Sequence, residues 1–317
     1  MDSINCEAGH SDAALRTALW NEHLDACVLL LDMRVPYGSR VNDSLHSGYT
    51  PLSYAASVGS TGAVQLLVEA KAHVNGADAN RQVPLHCAAR HGHVHVVRLL
   101  VWSKANVDSM EHVPDRGWDC LGYRVGYDDR GCTALYTAVA ARQVEVVREL
   151  VGAKAHVDVC DREYDTALSL AVRRNCIGAV EALLAAKATV DKRGCEGQRP
   201  MYLALLTRRH DSLELLLRAK ASVHFKDHGE LPMFLAVKSG APSGRAVRLL
   251  LAAKADADVA DFEGRSALRV AEEFGNRSMV RLLLAAKASA EGGYGESWEH
   301  RRPDCVWRRV GRQPGGM

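Results

Sequence analysis

The chain has 317 residues, 47% hydrophobic and 25% charged, the balance of an ordinary water-soluble protein. A formal net charge of +2 argues against a broad electrostatic surface for nucleic acid or membrane. The longest apolar runs, such as Val28 to Leu31, fall far short of the ~20 residues that a membrane-spanning helix needs.

Nine cysteines occur, an odd number, and no pair has CxxC spacing. The opening MDSINCEAGH lacks the apolar core of a secretory leader. The expectation is reduced thiols in a cytoplasmic or nuclear protein, filling small gaps between helices.

Residues 1–10 are small and polar and are expected to be a disordered N-terminus. Ser11 or Asp12 can cap a first helix by accepting an orphan backbone N–H. That helix carries Ala14, Leu15, Ala18 and Leu19, and a second follows through Cys27, Val28 and Leu30.

A Lys between small residues then closes a Leu-rich run at Lys71, Lys104, Lys154, Lys187, Lys220, Lys254 and Lys287. The gaps are 33, 50, 33, 33, 34 and 33 residues, so one supersecondary unit is copied along the chain. Leu52 to Lys71, Leu85 to Lys104, Leu135 to Lys154, Leu168 to Lys187, Met201 to Lys220 and Leu268 to Lys287 are all 19 residues. Met233 to Lys254 is 21, and its two extra residues fall around Ala241-Pro242-Ser243-Gly244, of turn composition.

Within a unit, Leu168, Ala171 and Val172 lie at i, i+3 and i+4, one face of a helix. Arg173, Arg174 and Asn175 interrupt it, and Val180, Leu183 and Leu184 mark a second helical face. Helices of about ten residues are marginal alone in water, so stacked copies must bury what one copy cannot.

The long gap holds 17 extra residues, between about Ser109 and Gly126. They lengthen one loop, leave the helices intact, and include Trp118 and Tyr123. Such a loop is either a functional feature or a neutral insertion, because closure cost grows slowly with length. After Ala290 the repeat stops. Residues 291–317 are Gly- and Arg-rich without helical period and are expected to be a disordered tail.

Thr50-Pro51-Leu52, Val83-Pro84-Leu85-His86-Cys87-Ala88-Ala89 and Gly92-His93-Val94 resemble the ankyrin repeat. So do the turns Asp128-Asp129-Arg130-Gly131 and Asp261-Phe262-Glu263-Gly264. About eight units span roughly residues 11–290. The resemblance implies an all-α solenoid of helix-turn-helix units with short β-hairpin fingers and a protein-binding concave face.

Two departures stand out. The family's His after Pro-Leu survives only at His86; elsewhere the position holds Ser53, Tyr136, Ser169, Tyr202, Phe234 or Arg269. Its usual hydrogen bonds are therefore expected to be mostly missing or replaced. The family commonly ends its second helix with a left-handed Gly, where this chain has Lys.

No Gly-Lys dipeptide, HExxH or GxSxG is present, so nucleotide-loop, zincin and serine-hydrolase chemistry have no motif. His91, His93 and His95 lack a fourth ligand at zinc spacing, as do His112, Cys120 and Cys132. No catalytic residue, metal or cofactor is expected.

By the resemblance, partner-binding positions on fingers and inner helices are His46, Tyr49, Asn80, Gln82, Arg90, His91, Trp118, Arg130, Arg162, Glu163, Arg173, Arg174, Gln198, Phe262 and Arg265. Asp129, Asp165, Glu196, His228, Glu230, Lys238 and Phe274 lie on the same face, so charges of both signs dominate it, with Arg clustered in the third to fifth units. Arg and aromatic residues are typical interface anchors, so the reading is a monomeric, non-enzymatic scaffold for a protein with an acidic segment. The alternatives are a recruiting subunit of a ubiquitin ligase or kinase complex, and a nucleic-acid-associated protein using the Arg-rich tail.

Overall fold

The computed structural model describes residues 14, 17–21, 23–27, 41, 42, 44, 45, 48–79, 82–111, 131–160, 165–239, 244–257 and 264–291. The expected disordered ends lie outside these, as does most of the long insertion.

The described helices form pairs. They are α1 (Pro51–Val58) with α2 (Thr61–Glu69), and α3 (Pro84–His91) with α4 (Val94–Trp102). Next come α5 (Ala134–Ala140) with α6 (Val144–Gly152), and α7 (Ala167–Arg173) with α8 (Ile177–Ala185). Then come α9 (Pro200–Leu206) with α10 (His210–Arg218), and α11 (Pro232–Lys238) with α12 (Arg245–Ala252). The last pair is α13 (Ala267–Glu273) with α14 (Arg277–Glu291). Odd-numbered helices pack on one another as one layer and even-numbered helices as a second. Before α1, residues 17–20 and 24–27 are helical, and the Leu24 side chain lies against Gly62 of α2.

The local chemistry explains each start and stop. Thr50, Thr133, Thr166 and Ser266 cap first helices, each hydroxyl accepting a backbone N–H three residues on. Pro51, Pro84, Pro200 and Pro232 occupy first turns, where proline's fixed φ fits and its missing N–H costs nothing. Ala55, Ala88, Ala138, Ala171, Ala204 and Ala236 are buried between neighbouring first helices and let the backbones close up.

The Lys positions are left-handed turns. Lys71, Lys104, Lys154, Lys187, Lys220 and Lys254 have φ between 62° and 66°. At Lys187 the N–H donates to the carbonyl of Leu184 at 3.0 Å, and the Ala188 N–H reaches back to Leu183 at 3.0 Å. This two-bond C-terminal cap buries the following Ala beside a buried Leu. Lys287 is the exception: α14 runs through it to Glu291. Lys-Ala-Ser-Ala-Glu is good helix sequence, and a left-handed non-glycine costs about 1 kcal/mol, so the helix continues.

The replaced His positions behave as expected. Thr50 and Thr166 hydroxyls donate to Ser53 and Ser169 at 3.0 and 3.1 Å, and Tyr136, Tyr202 and Phe234 fill the site with buried rings. His86 donates from Nε2 to the Cys132 carbonyl of the next unit at 2.9 Å.

Fingers connect the pairs. Strands β1 (Met110–Glu111) and β2 (Cys132–Thr133) are antiparallel, pairing Met110 with Thr133 and Glu111 with Cys132. The insertion therefore lies within a finger. A recurring backbone-to-side-chain hydrogen bond joins successive units at the finger bases. Asn42 accepts from the His73 N–H at 2.7 Å and Asn75 from Asn106 at 2.7 Å. Asp108 accepts from His156 at 2.8 Å, Asp158 from Thr189 at 2.9 Å and Asp191 from Ser222 at 3.1 Å. His224 takes the next place in this series. A cleft of about 310 Å³, lined partly by Val223, Leu231 and Ala255, opens at that joint.

Lys187→Gly should leave stability unchanged or raise it by up to about 1 kcal/mol, while Lys287→Gly should lower it by about 1 kcal/mol. Urea titration of the two variants distinguishes a left-handed from a helical Lys. Asp158→Ala should cost about 1 kcal/mol in the same measurement, and Asp158→Asn less, since an acceptor remains.

Candidate functional site

The first helices are almost wholly buried except at their last turns, so those turns and the finger bases are what this layer offers a ligand. Arg90 and His91 end α3, Arg173 and Arg174 end α7, and Leu206 ends α9. Lys238 ends α11, and Phe274 caps α13.

Finger and helix end face one another. Arg173 pairs with buried Asp165 at 3.1 Å, and Lys238 with Glu230 at 2.6 Å. Arg265 lies 3.5 Å from Glu273. Between the last two pairs lies a cleft of about 170 Å³ lined by Lys238, Arg265, Val270, Glu273 and Phe274. Phe274 is 61% exposed there and Leu206, two pairs back along the layer, 53%.

The remaining expected positions vary. Exposed His91 donates from Nδ1 to the Cys87 carbonyl at 2.9 Å and stacks on His93, with ring centroids 6.0 Å apart. His93 donates from Nε2 to the Ser57 carbonyl at 3.0 Å, so it ties units together. Gln82 is half-buried and its N–H donates to Asp78 at 2.8 Å. Gln198 donates to Glu196 at 2.9 Å on a finger turn. Tyr49 packs edge-on against Tyr54, centroids 6.3 Å apart. His46, Asn80, Trp118, Arg130, Arg162, Glu163 and Phe262 lie outside the described residues.

The structure thus brings Arg90, His91, Arg173 and Arg174 to one layer edge, and Arg265 to the same edge farther on. Leu206, Arg142 and Arg208 share that edge but were not among the expected positions. Their signal was positional: Leu206, like Arg173, stands 14 residues before a Lys of the period, and Arg142 and Arg208 each stand 12 residues before one.

The strongest buried ionic centre is structural. Asp227 is buried and takes Arg199 at 2.5 Å, Arg193 at 3.2 Å and the Arg199 N–H at 3.1 Å. The Arg199 guanidinium also lies over Phe225, 4.9 Å from its centroid. These contacts hold one finger against the next. Burial, with Glu230 next in effect, pushes the Tyr202 hydroxyl above its ordinary pKa. On the second layer, the hydrogen bond from Arg98 pulls the Glu149 carboxyl below its usual range. Among the described residues, no group of three His, Cys, Asp or Glu could hold a metal ion. No described helix is long and apolar enough to cross a membrane.

A family model described as "Ankyrin repeats" matches residues 15–111, 141–227 and 201–292, so the chain belongs to the ankyrin-repeat family. The matches break where the finger insertion falls. Among solved structures, the chain is similar to the human ASB11 ankyrin repeat domain at 24% identity and a TM-score of 0.57. That similarity covers 78% of this chain and 100% of the other, and it shows the fold. No curated protein matches the chain. Ankyrin repeats generally mediate protein–protein interaction, and the fold is typically non-catalytic.

His210, at the first residue of α10, has a buried Nε2 without a hydrogen-bond partner. Burial, then the nearby Arg245 charge, lowers its pKa. A folded-state pKa below the unfolded value makes this contribution to stability complete above the unfolded value of about 6.5 and lost as pH falls below that value and through the lower folded one. Melting temperature should therefore decline between about pH 7 and pH 5, and the decline should be shallower in His210→Gln.

Proposed function

We propose that the protein is a non-catalytic scaffold that binds a protein partner on the face made by its fingers and first-helix ends. The observation that supports this is the juxtaposition at that edge. Arg90, His91 and Arg174 stand on stacked helices, and the cleft between Lys238, Arg265 and Phe274 opens along the same edge. Arg and aromatic side chains beside a concavity are the usual anchors of protein interfaces. The thiols of Cys27, Cys160 and Cys176, which form no disulfide, support a reducing compartment, cytoplasm or nucleus.

The test must spare Arg173. Its partner Asp165 is buried, so Arg173→Glu would set two carboxylates together and cost about 3–5 kcal/mol of stability. The double variant His91→Glu, Arg174→Glu should lose the partners captured by the wild-type chain while keeping the wild-type circular-dichroism spectrum. Recovery of the same partners would remove this face from consideration. Arg173→Glu alone should melt earlier.

A further inference from the structure

Charge is sorted between the two helix layers. Residues 84–93, 134–143, 167–176, 200–209 and 232–239 cover five first helices and their following turns, and they contain no Asp or Glu. They carry Arg90, Arg142, Arg173, Arg174, Arg208, Arg209 and Lys238. The carboxylates of the corresponding second helices, such as Glu145, Glu149, Glu181, Asp211 and Glu214, lie on the other layer. There several pair with cations, including Glu145 with Arg148, Glu149 with Arg98, and Asp211 and Glu214 with Arg245.

Because α3, α5, α7, α9 and α11 pack in sequence, their ends form one row of cations, of which Arg173 and Lys238 are paired with the finger carboxylates Asp165 and Glu230. Helices pack about 8–10 Å apart, close to the ~8 Å screening length of physiological salt, so neighbouring cations reinforce one another. Among the described residues, Arg142 and Arg208 have no carboxylate partner.

Two of these cations stand where the backbone favours glycine. Arg142 and Arg208 have φ of 60° and 57°. The same turn uses Gly59, Gly92 and Gly275 in other units. An arginine there costs about 1 kcal/mol relative to a glycine that would hold the turn freely. Macrodipole attraction at the helix C-terminus returns about 0.3–1 kcal/mol, and any Arg at the helix end would gain it without adopting positive φ.

The row has one apolar step. Leu206 occupies in α9 the place that Arg173 has in α7 and Lys238 in α11, so an exposed aliphatic side chain is flanked by cations on both sides. A nucleic-acid track interleaves cations with aromatic platforms, and Leu206 offers no stacking face. An extended peptide rises about 3.3 Å per residue, so about three residues span one unit.

Resting on the scaffold reading above, we infer that the first-layer edge is built for an extended acidic peptide, with an aliphatic side chain over Leu206 and carboxylates three residues to either side. The apolar side chain covers Leu206 while the peptide's carboxylates meet the edge charge that the fingers leave unbalanced at Arg142 and Arg208, Arg173 and Lys238 being already paired with Asp165 and Glu230.

The test uses the full chain and fluorescently labelled peptides with Glu at i and i+6 and Leu at i+3, measured by anisotropy. The controls are a scrambled peptide of identical composition and a single-stranded oligonucleotide of equal charge. Arg142→Gly with Arg208→Gly removes two charges and relieves two left-handed residues. This variant should be at least as heat-stable as wild type and bind the Glu-Leu-Glu peptide about tenfold more weakly. Leu206→Ser and the scrambled peptide should each weaken binding several-fold. Lys104→Glu with Lys154→Glu, on the second-layer edge, should change it little.

Equal loss in that second-layer variant would make the attraction diffuse and overturn the inference. So would oligonucleotide binding as tight as the peptide's and indifferent to Leu206→Ser. If no peptide binds while His91→Glu, Arg174→Glu still abolishes partner capture, the acidic-peptide inference fails and the scaffold reading stands. If that capture is also unaffected, both fail.

Discussion

Everything in this molecule depends on one repeated hydrogen bond, from a backbone N–H at the base of one finger to an Asn or Asp side chain of the unit before. No helix pair here buries its own core. Leu67, Leu100, Leu150, Leu183 and Leu216 are fully buried in the stack, as expected where neighbouring copies supply the core that one short pair cannot. Apolar contact supplies most of the free energy but is not directional. The bonds at Asn75, Asp108, Asp158 and Asp191 set the register, because each accepts from a residue two beyond a left-handed Lys. The Lys turn and this bond are parts of one joint. The turn swings the chain off the second helix, and the side-chain oxygen fixes where it lands.

That joint explains how irregularities are tolerated. The finger insertion enters between Glu111 and Cys132, after one joint is closed and before the next helix begins. The two additional residues before Gly244 enter between α11 and α12, again away from a joint. Neither alters which helix ends stack. At the last described pair the helix runs on through Lys287.

Much of the fold was legible in the sequence because its period is rigid. The 19-residue spacing from Leu to Lys locates both helices of a unit and the turn after them. Lys287 was misread because a repeated residue implies a repeated conformation only while its neighbours repeat as well. The site was less legible. Tyr49, Gln82 and Gln198 are polar or aromatic at suitable offsets, yet their contacts are largely within their own units. Arg173 reads as a free surface charge until Asp165 is seen buried against it. Leu206 reads as core in a Leu-rich helix; only the end of the stacked helix shows that it faces water. Periodicity reports which residues share a position, and the packing reports which positions share a surface.

The distribution of strain completes the picture. At the second-helix turns Lys is uniform, its cation suits a helix C-terminus, and Asp108, Asp158 and Asp191 follow four residues later with opposite charge. That edge balances itself. At the first-helix turns the residue is free to vary, as Gly59, Gly92, Asn175 and Gly275 show, and yet Arg142 and Arg208 take the costly conformation with no carboxylate in the same helix or turn. A charge that is both strained and locally unbalanced lowers the stability of the isolated chain. Its compensation lies in an anion supplied from outside, and the edge that carries it is where a partner gains most by binding.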